Sequence, residues 1–391
     1  MLLVVPDRPS TAPSGGDRYD AALAAALDRR GVPVRTVRAA GGWPWPDEDA
    51  LRALREVLVT GGALVTGGDP DVVLVDGLVG CAAPEELRAC VGVRPTAVLL
   101  HSRLSAGAGA TGERAARLDD SEARALSAVG LVVVPSERAA AEVAEHYGIC
   151  ADRVLVAPPG VDPAPVAGGL REPEARGIPQ LLTLAAVTPL KNHALLLEAL
   201  AGVRDLPWRA VLAGPQPDAA HLRRLRARAA ELHLEGRVSW PGALVDEGLH
   251  RVWAATDLLV HPSRSETYGL VVTEAHARGI PTVVGRGTGA EEALGGRHGE
   301  VAEPAIRGAG SDVPPDMESR RPTATVGLPG AAVDVDRSEE LVEVLRRWLT
   351  DGEVRRRWRE AALARRERLP AWDETAASVA EALERLVGAR R

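Results

Sequence analysis

One lysine and one asparagine occur in the whole sequence, and they are neighbours, Lys191 and Asn192. They lie in a short turn, residues 188–192, between an apolar run at 181–187 and an apolar stretch at 193–203. If the run is a strand and the stretch a helix, the turn offers backbone N–H groups and the positive end of a helix to a ligand. A lysine ammonium at that point adds a full positive charge, which suits a phosphate. A solvated surface lysine without a ligand is the alternative that position alone leaves open.

A second informative segment carries two glutamates eight residues apart, Glu266 and Glu274. At about 1.5 Å of rise per helical residue the two carboxylates lie up to ~12 Å apart, too far to share a proton but suited to two ends of one elongated ligand. Between them, residues 267–269 supply N–H groups at a predicted helix N-terminus, where a phosphate could bind. This order fits a sugar hydroxyl, a diphosphate and a ribose. The competing interpretation is a capping arrangement, with Ser265 or Thr267 as N-cap and both glutamates on a solvated face.

The rest of the chain predicts the elements that position these two segments. Short apolar runs alternate with longer stretches rich in Ala, Leu, Arg and Glu, which is typical of βαβ units and parallel sheets. The Lys191 turn lies three strands before the glutamate segment in the same predicted sheet, and together the two favour the ligand interpretation. Predicted strands cover residues 2–6, 32–37, 72–75, 97–101, 131–135, 153–157, 181–187, 210–214, 237–240, 258–261 and 282–285. Predicted helices cover residues 18–30, 47–60, 84–90, 119–128, 137–147, 193–203, 219–233, 245–254, 270–278, 290–294, 338–350, 353–368 and 373–386.

The domain organisation follows from residues 158–169, which are rich in Pro and Gly and predict a hinge between two α/β domains. We expect a first domain over residues 1–168, a second over 178–365 and a C-terminal helical segment over 366–391. The alternation fails at 306–325, which predicts a flexible surface insertion without an assignable role. Two such domains place a cleft at the carboxyl ends of their strands, where the chemistry should lie.

Composition excludes several classes of function. The net charge of −7 argues against nucleic acid as a partner, because binding the phosphate backbone needs a basic face. Three cysteines without a CxxC spacing predict reduced thiols in a cytoplasmic protein. The apolar N-terminal run has no basic leader, so we interpret it as a first strand and not as a signal peptide. No window reaches the ~18 apolar residues of a transmembrane helix, and peripheral membrane contact stays open.

The glutamate pair, with an aromatic residue and a glycine after the first glutamate, resembles the retaining glycosyltransferases of family four. These enzymes have the GT-B architecture, in which two Rossmann-like domains face each other across a cleft and a C-terminal helix crosses back to the first domain. The resemblance covers nearly the whole chain and is most specific at residues 257–284. It extends to residues 133–136, 157–162 and 188–192, and Trp372 matches a residue that packs the last helix.

The resemblance implies that the first domain holds the acceptor and the second binds a nucleotide sugar, with UDP or GDP as the expected nucleotide. Lys191 would contact the donor diphosphate, Glu266 the hydroxyls of the donor sugar and Glu274 the ribose. His101 would line the sugar pocket, so that Glu266, Lys191 and His101 are the expected catalytic residues. The other expected donor contacts are the glycine pair in the loop after the first strand and the residues after Glu266, namely Gly15, Gly16, Thr267, Tyr268, Gly269 and Leu270.

One departure from the family pattern concerns its positive charges. The family has an arginine a few residues before the lysine, where this chain has Ala185, Ala186 and Val187. Arg264 or Arg286 could replace it. In the expected mechanism the departing nucleoside diphosphate gains negative charge, which a lysine and a helix N-terminus would stabilise without a metal ion.

Metal binding is not expected, and neither is another cofactor. Asp334 with Asp336, and Asp69 with Asp71, resemble the DxD pattern of metal-dependent transferases. We interpret the first pair as the end of a strand before a helix and the second as a turn before a strand. The sequence assigns no role to His261.

Two alternatives to transfer remain. A GT-B epimerase of sugar nucleotides would need acidic and histidine side chains for proton abstraction, and His101 is the one obvious candidate. A binding protein that closes on a sugar nucleotide without reaction would be expected to carry a secretion signal. The acceptor, a small molecule or a lipid, cannot be read from the sequence, and neither can the oligomeric state.

Overall fold

The chain divides into two compact units, one formed by Met1–Val161 with Pro370–Arg391 and the other by Asp162–Leu369. The computed structural model describes residues 1–8, 14–60, 70–107, 110–168, 177–295 and 327–390. The predicted insertion at 306–325 and Asp69 lie outside the described residues.

Twelve strands and fifteen α-helices lie in the described residues. The strands are β1 (Leu2–Pro6), β2 (Arg35–Ala39), β3 (Val73–Asp76), β4 (Thr96–Leu99), β5 (Leu131–Val134), β6 (Val154–Val156), β7 (Gln180–Leu184), β8 (Arg209–Ala213), β9 (Val238–Gly242), β10 (Leu258–His261), β11 (Thr282–Gly285) and β12 (Gly330–Val333). The helices are α1 (Gly15–Arg29), α2 (Glu48–Thr60), α3 (Gly77–Gly80), α4 (Pro84–Val93), α5 (Leu104–Gly107), α6 (Gly112–Ala128), α7 (Glu137–Tyr147), α8 (His193–Gly202), α9 (Ala219–Glu231), α10 (Asp246–Ala254), α11 (Leu270–His276), α12 (Gly289–Gly295), α13 (Ser338–Thr350), α14 (Gly352–Arg366) and α15 (Trp372–Gly388).

The first unit is built on a six-stranded parallel sheet in the order β2-β1-β3-β4-β5-β6. Its central strands are runs of Val and Leu that are buried throughout, as a parallel sheet covered on both faces requires. Helix α15 belongs to this unit. The ring of its first residue, Trp372, packs edge-on against Tyr19 of α1 at 5.3 Å, and the Thr375 hydroxyl donates to the carbonyl of Pro158 at 2.7 Å.

The second unit has its own six-stranded parallel sheet, in the order β12-β11-β10-β7-β8-β9. The prediction of an α/β fold with two parallel sheets is therefore confirmed. Strand β12 was not predicted, because it is short and follows the stretch where the alternation fails. No helix among the described residues combines the length and the apolar character that crossing a bilayer requires.

Candidate functional site

The Lys191 turn and the glutamate segment follow two neighbouring strands. In the second sheet, strand β7 has β8 on one side and β10 on the other. The chain passes from β7 to β8 first and returns to the other side of β7 only with β10. This is a topological switch point, the place in an open α/β sheet where a crevice forms at the carboxyl ends of the strands. The prediction put the two segments three strands apart along the chain, and the sheet order makes their strands adjacent.

Lys191, Glu266 and His261 form a charged cluster at this edge. The Lys191 ammonium forms an ion pair with Oε1 of Glu266, and Nε2 of His261 lies 2.6 Å from the same oxygen. The side chains of Lys191, Glu266 and His261 are 26%, 12% and 3% exposed. Lys191 is therefore a partly buried, ion-paired side chain, and His261, the last residue of β10, is a member of the cluster that sequence reasoning did not assign.

The electrostatics of this cluster keep Glu266 ionised. Burial alone would raise the pKa of this carboxyl, but the charges of Lys191 and His261 outweigh it and hold the pKa well below its usual range. Because two donors share Oε1, Oε2 remains as an acceptor for a ligand hydroxyl. The ammonium carries three N–H donors and gives one to Glu266, so two remain for a second, anionic partner.

The turn that carries Lys191 is fixed by backbone contacts. Residues Pro189–Lys191 form one 3-10 turn, and Asn192 follows with a left-handed φ of 57°, which asparagine tolerates better than most residues. The Asn192 amide, which is buried, donates to the carbonyl of Val335 beyond β12 at 2.7 Å. The backbone N–H of Arg264 donates to the carbonyl of Leu190 at 2.8 Å. The segments after β10 and β12 thus position the lysine.

The loop between Glu266 and α11 offers unused donors. Helix α11 begins after Gly269, whose φ is 86°, and no side chain caps it, so capping by Ser265 or Thr267 is wrong. Within the described parts of the chain, the backbone N–H groups of Thr267, Tyr268 and Gly269 donate to no protein acceptor. The side chain of Tyr268 is buried in the core, which raises the pKa of its hydroxyl to about 12. The loop therefore presents its main chain, and not the tyrosine hydroxyl, to a ligand.

Two further predicted features of this unit can be placed. Glu274 lies in the second turn of α11 and is 7% exposed, so its predicted alternative position on a solvated face is wrong. Of the two arginines offered as replacements for the missing family arginine, Arg264 forms an ion pair with Asp336 and Arg286 one with Glu340. Leu270 begins α11 directly after the loop.

In the first unit, the glycine pair lies in a different structure from the one predicted. Gly15 and Gly16 are not in a loop but are the first two residues of α1, which Ser14 caps through its side chain. A Cβ on Gly16 would lie 2.9 Å from Cδ2 of the His101 ring, closer than real side chains approach. Gly16 is therefore needed by the packing of His101, a reason that the sequence did not suggest.

One edge of the His101 ring faces two buried carboxylates that sequence reasoning missed. Its Nε2 is 2.8 Å from Oδ1 of Asp20 in α1 and 3.5 Å from Oδ2 of Asp76, the last residue of β3. Burial alone would lower the pKa of His101, but Asp20, Asp76 and Asp17 raise it to about 9. Burial and the charge of Asp20 raise the pKa of Asp76 to about 7.

These three side chains are also of the types that bind divalent cations, and their ligand atoms lie within 4.8 Å of one another. The 2.8 Å separation of Nε2 and Oδ1 is that of a charge-assisted hydrogen bond, so we interpret the cluster as an imidazolium held by carboxylates. It lies beside the switch point between β1 and β3 of the first sheet.

Comparisons with known proteins agree with this fold. Residues 13–165 match the family model described as Glycosyltransferase Family 4, and residues 171–305 match the one described as Glycosyl transferases group 1. Two Rossmann-like units with these consecutive matches define a glycosyltransferase of the GT-B class. The chain belongs to glycosyltransferase family four, as its glutamate segment indicated.

Curated relatives share part of their length with this chain. A stretch of 188 residues is 30% identical to the D-inositol 3-phosphate glycosyltransferase of Pseudarthrobacter chlorophenolicus and covers 46% of this chain and 44% of that protein. The match thus spans less than half the length of this curated relative.

Solved structures resemble the chain over its whole length. Sucrose-phosphate synthase from Thermosynechococcus elongatus superposes with a TM-score of 0.76 at 18% identity, covering 99% of each chain. The Anabaena protein HepE, in complex with UDP and glucose, superposes with a TM-score of 0.70 at 18% identity, covering 98% of this chain and 99% of that one. At such low identity these structures establish the fold alone.

Proposed function

We propose that this protein transfers a sugar from a nucleoside diphosphate sugar to an acceptor hydroxyl, with retention of the anomeric configuration and without a metal ion. The acceptor is a small molecule or a lipid. The observation that carries the proposal is the cluster of Lys191 with Glu266 at the carboxyl ends of two adjacent strands, beside a loop of unused backbone donors. Membership of family four supports it.

The chemistry of the cluster suits each part of such a donor. A diphosphate accepts hydrogen bonds and carries negative charge, which the two remaining Lys191 donors and the N–H groups of residues 267–269 match. The ionised Glu266 accepts hydrogen bonds only, which suits sugar hydroxyls. Glu274 is our candidate for the ribose, as the family resemblance implies.

The same groups would assist the reaction. As the bond between the anomeric carbon and the diphosphate oxygen breaks, negative charge grows on the leaving group. Lys191 and the loop N–H groups are held in place by the protein before the reaction, so they stabilise this charge without reorganising. We propose UDP or GDP as the nucleotide. A cytoplasmic location and the absence of a cofactor stay predictions.

A thermal-shift panel with UDP, GDP, ADP and dTDP tests donor binding. A nucleotide at about a hundred times its dissociation constant should add ~2.7 kcal/mol to the free energy of unfolding. Lys191→Ala should abolish that shift, because it removes the ammonium. The matched control is Arg251→Ala, which removes an exposed cation of α10 and should retain the full shift.

Release of free sugar from nucleotide sugars, followed over hours, then separates an enzyme from a binding protein. Slow hydrolysis without acceptor supports the enzyme. A crystal soaked with a nucleotide sugar that showed the ligand away from Lys191 would contradict the proposal, as would full turnover by both Lys191→Ala and Glu266→Ala.

A further inference from the structure

The cluster around His101 contains more charged groups than a histidine that only lines a pocket would need. Asp20 comes from α1, Asp76 from the end of β3 and His101 from the segment after β4, so three separate elements converge on one imidazole. Both aspartates are buried, at 4% and 3% exposure. Burying two carboxylates is costly unless they are paired, so their convergence on a single ring calls for an explanation.

Packing holds the ring in one orientation. The Tyr19 ring lies edge-on to the His101 ring with centroids 5.2 Å apart, and the Tyr19 hydroxyl donates to the carbonyl of Ala157 at 2.7 Å. Gly16, one turn before Tyr19 in α1, also lies against the ring, where an added Cβ would be 2.9 Å from Cδ2 of His101. The ring therefore keeps its Nε2 edge on the carboxylates.

Charge balance decides which form of the ring is stable. Among the described residues, His101 is the one basic side chain paired with Asp20 and Asp76. Asp17, also on α1, adds a third negative charge nearby, and Tyr19 presents an uncharged ring. Above about pH 7, where Asp76 is ionised as well as Asp20, a neutral imidazole would leave two buried carboxylates with no cation beside them, so the charged form of the ring is favoured.

We propose that Asp20 and Asp76 are positioning residues that keep His101 protonated, so that His101 acts in this site as a fixed cation and hydrogen-bond donor and not as a base. Both ring nitrogens of an imidazolium carry a proton, and Nε2 donates to Asp20, so the Nδ1 proton is left for a ligand oxygen. The role toward the donor sugar rests on the proposed transferase function. Proton abstraction by His101, which an epimerase would need, is incompatible with this arrangement.

The direct test is the titration of the His101 ring by long-range ¹H–¹⁵N NMR on the full chain, with its signal assigned by its loss in His101→Gln. We expect the wild-type ring to stay charged well above the ordinary histidine range. Asp20→Asn should lower the midpoint by about one to two pH units, since it removes the nearer carboxylate charge. Asp76→Asn, at the longer distance, should lower it less, and Asp49→Asn, an exposed aspartate of α2, should leave it unchanged.

Turnover gives a second reading. In the wild type, the alkaline limb of the pH profile for nucleotide-sugar turnover should follow the His101 titration, and Asp20→Asn should move that limb to lower pH. Asp76→Asn serves in its place if Asp20→Asn does not fold. A wild-type ring that titrates near 6.5, or a midpoint that neither variant moves, would overturn the inference.

The NMR titration and the turnover measurement distinguish a failure of the positioning role from a failure of the transferase function. A charged ring without any turnover refutes the transferase function and leaves the positioning role standing. Turnover by a protein whose His101 is neutral at the working pH refutes the positioning role alone.

Discussion

The two units carry complementary charge clusters at the corresponding edge of their sheets. In the first unit one imidazole nitrogen faces two carboxylates, and in the second one carboxylate oxygen faces an ammonium and an imidazole. In each case the outnumbered group is stabilised in its ionised form, so the pKa of His101 rises to about 9 and that of Glu266 falls. The lesson is that the composition of each cluster fixes its role: His101 donates and Glu266 accepts.

The largest effect is expected from neutralising the acceptor of the second cluster. Glu266→Gln keeps the shape of the side chain but removes its charge, and its amide competes with Lys191 and His261 as a donor. We expect turnover to fall by about 10²–10³-fold with the nucleotide thermal shift retained. Glu247→Gln, an exposed glutamate of α10, is the matched control and should keep full turnover. Loss of nucleotide binding together with turnover would place Glu266 at the phosphates instead.

The two clusters should respond to pH in opposite directions. The folded pKa of His101 is raised from 6.5 to about 9, so its stabilisation is fully present below about pH 6.5 and is lost as pH rises toward 9, at most about 3 kcal/mol. Asp76 also lowers the stability of the fold as pH rises, between about pH 4 and pH 7, because burial raises the pKa of its carboxyl. The folded pKa of Glu266 is lowered, so its stabilisation is present above the usual carboxyl range and is lost as pH falls through and below it.

Urea unfolding across this pH range checks these signs. His101→Gln should flatten the alkaline loss of stability, and Glu266→Gln should flatten the acid loss. If both variants changed the loss of stability on the same side of the pH range, the opposite pH responses of the two clusters would be disproved.

Gly16→Ala tests whether the first cluster is packed as tightly as described. The new methyl group would meet the His101 ring, and we expect a loss of about 1–3 kcal/mol in the free energy of unfolding. Gly92→Ala in α4 is the matched control, because nothing lies within 4 Å of the added atom there. It should be neutral or stabilise slightly, since alanine is the better helix former. Equal effects at both positions would argue against a tight contact.

His261 allows a finer test of the second cluster. His261→Gln retains a donor that can reach Glu266, whereas His261→Leu removes it. We expect turnover to fall about tenfold in the leucine variant and clearly less in the glutamine variant, because one hydrogen bond to a charged group is lost only in the former. Equal losses in the two variants would mean that His261 acts through packing alone.

The smallest effect is expected from chelation. If Lys191 and backbone donors neutralise the leaving group, excess EDTA should leave turnover unchanged, and added Mg²⁺ or Mn²⁺ should not raise it. Activity that disappears with EDTA and returns with a divalent cation would show that one of the clusters works through a metal ion.

Residue types and spacing were enough to predict the two parallel sheets and to single out Lys191 and Glu266. Both follow strands, and the carboxyl ends of strands are where α/β proteins bind ligands. The spacing of strands along the sequence does not determine their order in the sheet, so the adjacency of β7 and β10 could not be predicted from it.

The two aspartates that contact His101 were not predicted, for a related reason. Asp20 lies inside a helix 81 residues away, and Asp76 ends a strand that reads as core. Neither forms a local pattern with His101, and their convergence depends on how three elements pack. The glycine pair shows a different error, since Gly15 and Gly16 were predicted to lie in a loop and instead begin α1.

A consequence of the Lys191 environment concerns covalent labelling. The sequence contains a single ε-amine, and about a quarter of its side chain, 26%, is open to solvent. An amine-selective acylating reagent therefore has one side-chain target in this chain, and that target is the group proposed to hold the diphosphate. The extent of acylation with and without nucleotide, read by intact mass, would report occupancy of one atom without any engineered probe.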